Sequence, residues 1–514
     1  MSRTVYSTDV LVIGGGLAGC WAAVAAVREG VRVILAEKGY VGTSGVTATA
    51  GPGHWWVPPN PPELRQKAIA ERHARGMGLS DPQWMARIID TTWKTLPTLS
   101  NHYHFYTENG VTHYRGLRGP EYMRAMRALA IEAGVTIMDQ SPIHDLTLAA
   151  DGSVAGAVGE HRQLQQAFEV KAGAVVMATG GCAFFSHLLG SGNNTGDGYR
   201  MAVAAGADLS GMEFTNYYTV APVRSNMTRS MAYSFARYFD SVGRELDIKP
   251  GPEVNEALAK ALMRGKVFCW LDRVPQDIQA IMPHVQPNFV APFDRRGINP
   301  YRDRFEVTLR GEGTIRGIGG INVIDDACQT RVPGLFAAGD AATRELIAGA
   351  VSGGGAQNSA WALSSGQWAG RGAARRRQIR TSEVVSMRIS GAPLLSVEEV
   401  VTAVRQEMEP PAKNMFRSDS QLRRSLQRMD AVWAAVRDRP VSSERWRDQA
   451  LRATVATARW SLNAALTRTE SRGMHRRTDF PALDPHQAHR LIVSGMDQVA
   501  VCPHFALATP LEAL

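Results

Sequence analysis

The sequence predicts an α/β fold followed by a helical segment, and three observations predict it. A short β-branched run at 10–13 breaks into Gly14, Gly16 and Gly19 and then into an Ala-rich stretch at 20–28, so strand, tight turn and helix follow one another. A second apolar strand at 31–36 ends on an acid, Glu37. From about 396 to 472 the apolar residues recur at helical spacing, as at Leu422, Leu426, Met429 and Val432.

Composition narrows the function classes. The 514 residues suffice for two to four domains, and 44% hydrophobic with 20% charged residues is ordinary globular composition, which excludes disordered and fibrous chains. A net charge of +9 permits anionic small ligands or nucleic acid without choosing between them. The arginines at 371–380 have no interleaved aromatics and read as the solvated end of a helix, so no nucleic-acid partner is expected. Five cysteines without a C-x-x-C pair exclude a disulfide scaffold and an iron–sulfur cluster held by this chain alone. The N-terminal segment lacks the charged and apolar regions of a secretory signal, and glycines break its most apolar stretch, so a cytoplasmic protein without a membrane span is expected.

The first forty residues carry a chemistry. Gly14, Gly16 and Gly19 stand at G-x-G-x-x-G spacing between a strand and a helix, with Glu37 about 20 residues on. Such glycines let the backbone approach a diphosphate, whose charge meets the helix N-terminus, while the acid accepts hydrogen bonds from ribose hydroxyls. The Gly/Ser/Thr/Ala run at 42–53 can wrap closely around an extended cofactor.

With that run the chain resembles the FAD-dependent flavoprotein family of succinate dehydrogenase, fumarate reductase, L-aspartate oxidase and the adenylylsulfate reductase flavoprotein subunit. Four further segments carry the resemblance: VVMATGG at 175–181, NTGDGYRMAVAAGADLSGMEF at 194–214, PGLFAAGDAA at 333–342 with GGGAQNSAWALSSGQWAGR at 353–371, and TESRGMHRRTDFP at 469–481. It implies a Rossmann-like FAD-binding domain, discontinuous over 1–210 and 321–375, with an inserted α+β capping domain at 211–320. A polar linker at 374–385 and a C-terminal helical domain at 396–480 follow, and the tail at 481–514 stays unassigned.

Position by position, the resemblance implies FAD contacts from Gly14, Gly16, Leu17, Ala18 and Gly19, from Glu37 and Lys38, and from Thr43, Ser44, Gly45, Thr47 and Ala48. Thr179, Gly180 and Asp197 follow, then Gly339, Asp340, Asn358, Ser359 and Ala360. Alone, Asp197 reads as a helix N-cap and Asp340 as a turn acid; their joint occurrence favours the cofactor. Covalent members carry His after the serine of the 42–53 loop, where this chain has Gly45, so non-covalent FAD is expected.

The dicarboxylate ligands of the family are replaced. Its two substrate histidines fall at Tyr218 and Ile315, and an arginine falls at Gly354. Losing several bidentate charged ligands removes the grip on succinate or fumarate. The resemblance therefore implies hydride exchange with flavin N5 at a C–C or C–N bond of another small organic acid or amine, larger or less charged, an aromatic one among the options. Candidate catalytic residues are Tyr218, Arg229 and Arg237, and candidate substrate residues are Trp55, Tyr217, Arg316 and Arg344. Arg224, His54, Trp56, Arg115 and Arg118 are further candidates; for the paired tyrosines and tryptophans, core packing stays an equal reading. The alternative is the flavoprotein subunit of an adenylylsulfate-reductase-like complex with a ferredoxin-like iron–sulfur partner. A homo-oligomer is a further partner expectation.

Overall fold

The computed structural model describes residues 3–227, 230–251, 253–352, 354–376, 383–384 and 389–504. The run at 10–13 lies within a longer strand, Thr4–Ile13, at the centre of an eight-stranded sheet. It pairs in parallel with Val33–Ala36 on one side and Gln166–Met177 on the other. Thr136–Met138 extends the parallel set beyond Val33–Ala36, and Leu335–Ala337 pairs in parallel with the end of Gln166–Met177. The first half of that long strand instead pairs antiparallel with Val154–His161. The carboxyl ends of five parallel strands thus gather at one edge, where a crevice opens above such sheets.

Two helices close one face of the sheet, Leu17–Arg28 and the long Gly354–Ala374. Small residues let them approach to backbone contact: a Cβ at Gly366 would lie 2.4 Å from the Ala18 carbonyl oxygen and one at Gly370 2.2 Å from that of Ala22.

The segment 211–320 folds around its own five-stranded antiparallel sheet, in the order Tyr218–Pro222, Phe305–Gly311, Val267–Trp270, Arg237–Phe239 and Glu245–Leu246. Its separate core includes Leu258, Met282, Phe289, Phe293 and Phe305. The chain leaves and re-enters the first domain through Leu209–Ser210 and Gly320–Ile321, which pair with each other. Of the linker at 374–385, residues 377–382 and 385 lie outside the described residues, while Glu383–Val384 pairs with the Ile143–Leu148 strand at the sheet edge.

The periodic stretch forms helices Val397–Met408, Asp419–Val436 and Arg445–Thr467, the last almost wholly buried. Of the tail left unassigned, Arg490–Ser494 and Ala500–His504 form a hairpin that pairs with Leu209–Ser210. Among the described residues no helix is long and apolar enough to cross a membrane.

A buried ionic cluster locks these parts together. The Arg468 guanidinium donates to Glu213 (2.8 Å), to Glu470 (3.0 Å) and to the carbonyls of Gln487 (2.8 Å) and His489 (2.9 Å). Arg472 donates to Glu470 at 2.6 Å. Beside them Glu345 accepts from the Ser210 hydroxyl, and its other oxygen is buried without a partner. Burial pushes the Glu345 carboxyl up to about 7; Arg490 opposes the shift and Glu213 adds to it. A carboxyl raised in the fold stabilises fully below its unfolded value of about 4.5 and loses that contribution as pH rises through about 7. The melting temperature is therefore expected to fall by several degrees between pH 5 and 7.5 through this group. Glu345→Gln should flatten that slope in a thermal-shift series; an unchanged slope would mean Glu345 ionises freely.

Candidate functional site

The site begins where the central strand ends. Gly14 has φ +104°, and a Cβ there would lie 2.4 Å from the Ala178 carbonyl oxygen. The next turn is tighter still, since a Cβ at Gly19 would lie 1.8 Å from the Gly14 carbonyl oxygen. Gly16 caps the helix Leu17–Arg28 without a side-chain bond, and a Cβ on it would meet nothing within 4 Å. The unpaired N–H groups of the helix start therefore lie beside open space, where an anion is favoured.

That space is one continuous cavity of about 840 Å³. At one end the Glu37 carboxylate accepts from the Gly15 N–H (2.6 Å) and the Gly39 N–H (2.7 Å), which fixes it against the glycine turn. Lys38 donates to Asp197 at 2.6 Å and to the Thr195 hydroxyl at 3.2 Å. Asp197 is not a helix N-cap, because Gly196 holds that position; one of its carboxylate oxygens is buried without a partner.

The middle is built from Ser44, Gly45 and Thr47 on one side and Thr179, Gly180, Gly339, Asp340 and Ser359 on others. Asn358 also lines it, with its side-chain oxygen buried and unpartnered. Four expected contacts do not reach the lining. Gly19 and Ala48 are buried behind it, Thr43 is exposed to solvent, and Ala360 faces the helix-packing core, while Ala362 faces the cavity. On a helix a shift of two residues turns the side chain to the other face.

The far end lies under the cap. Arg316 donates to the Tyr217 hydroxyl at 3.3 Å, and its Nε is 3.8 Å from the Glu312 carboxylate. Glu312 in turn accepts from the Thr219 hydroxyl at 2.8 Å. Burial works against the Arg316 charge, but Glu312 and Tyr217 outweigh it and hold the guanidinium protonated. Tyr217, Thr219 and Arg316 all line the cavity.

Several sequence candidates lie elsewhere. Tyr218, the first residue of the strand Tyr218–Pro222, turns away from the cavity and donates to the Glu409 carbonyl at 2.9 Å. Arg237 is held in the cap between Asp272 (2.5 Å) and Glu245 (2.7 Å), outside the lining. Arg344 is buried as a strut, bonded to Asp340 and to the carbonyls of Thr314 and Gly317. Trp55 is core, tied through its backbone to Ala356, and Trp56 stacks on Trp93 at 4.2 Å.

His54 lies behind the lining against Tyr122, and burial pushes its pKa down to about 3, so it is neutral. Arg224 is outside the lining, Arg115 and Arg118 are exposed, and Arg118 pairs with Glu121. Arg229 lies outside the described residues.

Sequence reasoning missed Thr219, Tyr233, Tyr238 and Asn255, all of which line the cap end. Only the alternation of the strand at 218–222 carried a signal, and it would have found Thr219.

The residues fit an extended, diphosphate-bridged cofactor: the cavity runs past a glycine turn that accepts no side chain at Gly14 and past the open helix start at Gly16, with Asp197 and Asn358 in its lining.

Comparison with known proteins agrees. The family model described as FAD binding domain matches residues 9–357, and that described as fumarate reductase flavoprotein C-term matches 405–499. The chain is similar to L-aspartate oxidase of Mycobacterium tuberculosis, 27% identical with 96% of this chain and 97% of that protein covered. A subunit of the fumarate reductase (CoM/CoB) of Methanothermobacter marburgensis is 24% identical, with 96% of this chain and 98% of that protein covered. The FrdA chain of E. coli quinol fumarate reductase shares the fold, with a TM-score of 0.85 at 17% identity over 99% of this chain and 98% of that one.

Proposed function

We propose that this chain, which belongs to the FAD binding domain family, holds FAD without a covalent bond and exchanges hydride at a C–C or C–N bond of an organic acid or amine seated under the cap. The chain is an FAD-dependent oxidoreductase. The observation that carries the finer reading is the single cavity joining Glu37 at one end to Arg316 and Tyr217 at the other. No histidine or cysteine is among its described lining residues, and Gly45 beside Ser44 offers no side chain for attachment.

When bound, FAD supplies hydride exchange at its N5. The protein's own groups bind and orient. The helix start at Gly16 and Leu17 would meet the diphosphate, Glu37 the ribose hydroxyls, and the Lys38–Asp197 pair would border the cofactor path. Arg316 would hold the substrate carboxylate through its guanidinium. The Tyr217 hydroxyl, already accepting from Arg316, would hold or give up the proton that accompanies hydride exchange.

Succinate and fumarate suit the site poorly. At the positions of the family's histidines, Tyr218 points away from the cavity and Ile315 presents an apolar wall.

The purified protein should be yellow and release FAD to the supernatant on acid precipitation; colour kept in the pellet would overturn the non-covalent reading. Under nitrogen an organic acid or amine should bleach the flavin and succinate should not. Tyr217→Phe should slow that bleaching by about 10²–10⁴-fold while leaving substrate affinity within about threefold. An unchanged rate would remove Tyr217 from the chemistry. Oxygen uptake at the bleaching rate would identify an oxidase, whereas turnover only with an added iron–sulfur protein would support the two-component reading.

A further inference from the structure

Arg344 is fully buried, and its guanidinium reaches two parts of the site at once. One arm donates to the Asp340 carboxylate, and Asp340 lines the middle of the cavity. The other donates to the carbonyls of Thr314 and Gly317, which bracket Ile315 and Arg316. The Arg344 N–H also donates to the Ile318 carbonyl at 3.0 Å. Through Arg344, then, the arginine that lines the cap end is held in register with an acid on the cofactor side.

That segment needs such a hold. Residues 311–320 contain five glycines, and the helix Gly313–Arg316 is a single turn. Glycine has the most backbone freedom to lose, and one helical turn does not hold itself in water. The carbonyls at its end have no partner within the turn, and an arginine side chain caps such groups well. Asp340 supplies the counter-charge that lets the guanidinium stay buried there. The Tyr199 hydroxyl ties the same two segments, 2.9 Å from the Thr314 hydroxyl and 2.8 Å from the Asp340 carbonyl. The turn therefore keeps a foothold when the Arg344 side chain is changed.

Arg316 keeps 23% of its side chain exposed and lines the cavity. Its Nη1 donates to Tyr217, its Nε faces Glu312, and its Nη2 borders Gly355, where a Cβ would lie 3.8 Å away. Gly355 lines the cavity without a side chain, so that edge of the fork stays open to an anion. A forked grip on a carboxylate depends on orientation, and a tilt of the turn at 314–317 would spoil it. Resting on the flavoenzyme reading above, we propose that Arg344 is a positioning residue for the substrate. It sets the turn that aims Arg316 and so governs anion binding at the cap end, while it lies outside the lining itself.

Arg344→Lys tests this, because lysine keeps a charge beside Asp340 but has no fork to bridge two carbonyls. Isothermal titration of the flavin-loaded protein with acetate and with benzoate reads the grip of Arg316. Arg316→Gln should weaken both anions by about 10²-fold, and Arg344→Lys should weaken them by about tenfold. A merely structural loss would add its effect in either background. Positioning predicts the opposite: in the Arg316→Gln protein, Arg344→Lys should change anion binding by less than about twofold. Hydrogen exchange at 313–318 should quicken by about tenfold in Arg344→Lys, while the strand Thr4–Ile13 stays as protected as before. Should Arg344→Lys fail to fold, Asp340→Asn loosens the same guanidinium from its other arm and should show the same non-additive loss. Native anion affinity in Arg344→Lys, additive losses, or unaltered exchange at 313–318 would each overturn the proposal. So would a native protein that binds neither anion.

Anaerobic bleaching separates this outcome from that of the parent reading. A non-additive cycle in a protein whose flavin no acid or amine bleaches would sink the redox reading and leave the positioning role standing. Bleaching that Arg344→Lys leaves at the native half-saturating concentration would do the reverse.

Discussion

Gly16→Leu is expected to yield a folded, colourless protein, while Gly19→Ala is expected to yield little folded protein at all. The two glycines belong to one motif and look equivalent in the sequence, yet their surroundings are opposite. A Cβ at Gly19 would sit 1.8 Å from the Gly14 carbonyl oxygen, which is backbone and cannot move aside without breaking the strand–helix turn. Overpacking of this kind costs about 3 kcal/mol or more. A Cβ at Gly16 meets nothing within 4 Å, and its backbone angles, φ −72° and ψ −172°, suit any residue. The leucine side chain would occupy the space beside the helix start instead. Flavin-to-protein ratio and melting temperature, measured together, check both. Gly16→Leu should keep the melting temperature of the flavin-free protein within about 2 °C while its flavin ratio falls below about a tenth of the native value. Full flavin occupancy in Gly16→Leu would place the cofactor's diphosphate away from this turn.

Arg468→Met should destabilise the fold by about 3–5 kcal/mol, the cost of leaving a buried ion without its partner. Arg468 is fully buried and is the shared donor to Glu213, at the start of the cap segment, and to Glu470 in the C-terminal segment. Removing it leaves both carboxylates buried, Glu470 still held by Arg472 and by the Asp484 N–H. It also frees the carbonyls of Gln487 and His489, which hold the turn before the C-terminal hairpin. Arg468→Lys keeps the charge and loses the fork, so it should recover part of the loss. Denaturant midpoints for native, Met and Lys proteins give the comparison, and a loss below about 1 kcal/mol for Met would show that the carboxylates take up protons or water instead.

Much of the cofactor half of the site was legible in the sequence because it is local. Gly14, Gly16 and Glu37 lie within one strand–turn–helix–strand unit, and their spacing alone brings them to the edge of the sheet. The loop residues Ser44 and Gly45 follow directly, so the cavity wall there was readable too. The misplacements in this half, Gly19, Thr43, Ala48 and Ala360, are each one residue from a lining residue and so lie at the right place in the chain.

The cap end was not legible in the same way. Tyr217 and Tyr218 are identical neighbours, and only the fold decides which faces the cavity: Tyr217, just before the strand, lines it, while Tyr218 donates to the Glu409 carbonyl. Arg237 and Arg344 carry the charge the chemistry asks for, but nearby acids and carbonyls neutralise one and bury the other.

The sequence by itself determined the glycine turn, the acid that answers it and the helical C-terminal segment, since each depends on contacts between residues close along the chain. Tertiary structure alone decided which arginine stays available and which tyrosines wall the chamber. Arg316 meets Tyr217 across 99 positions of sequence and Tyr233 packs against Phe289 across the cap. Partners that distant are chosen by how whole sheets and helices pack, a property that no local pattern of residue types encodes.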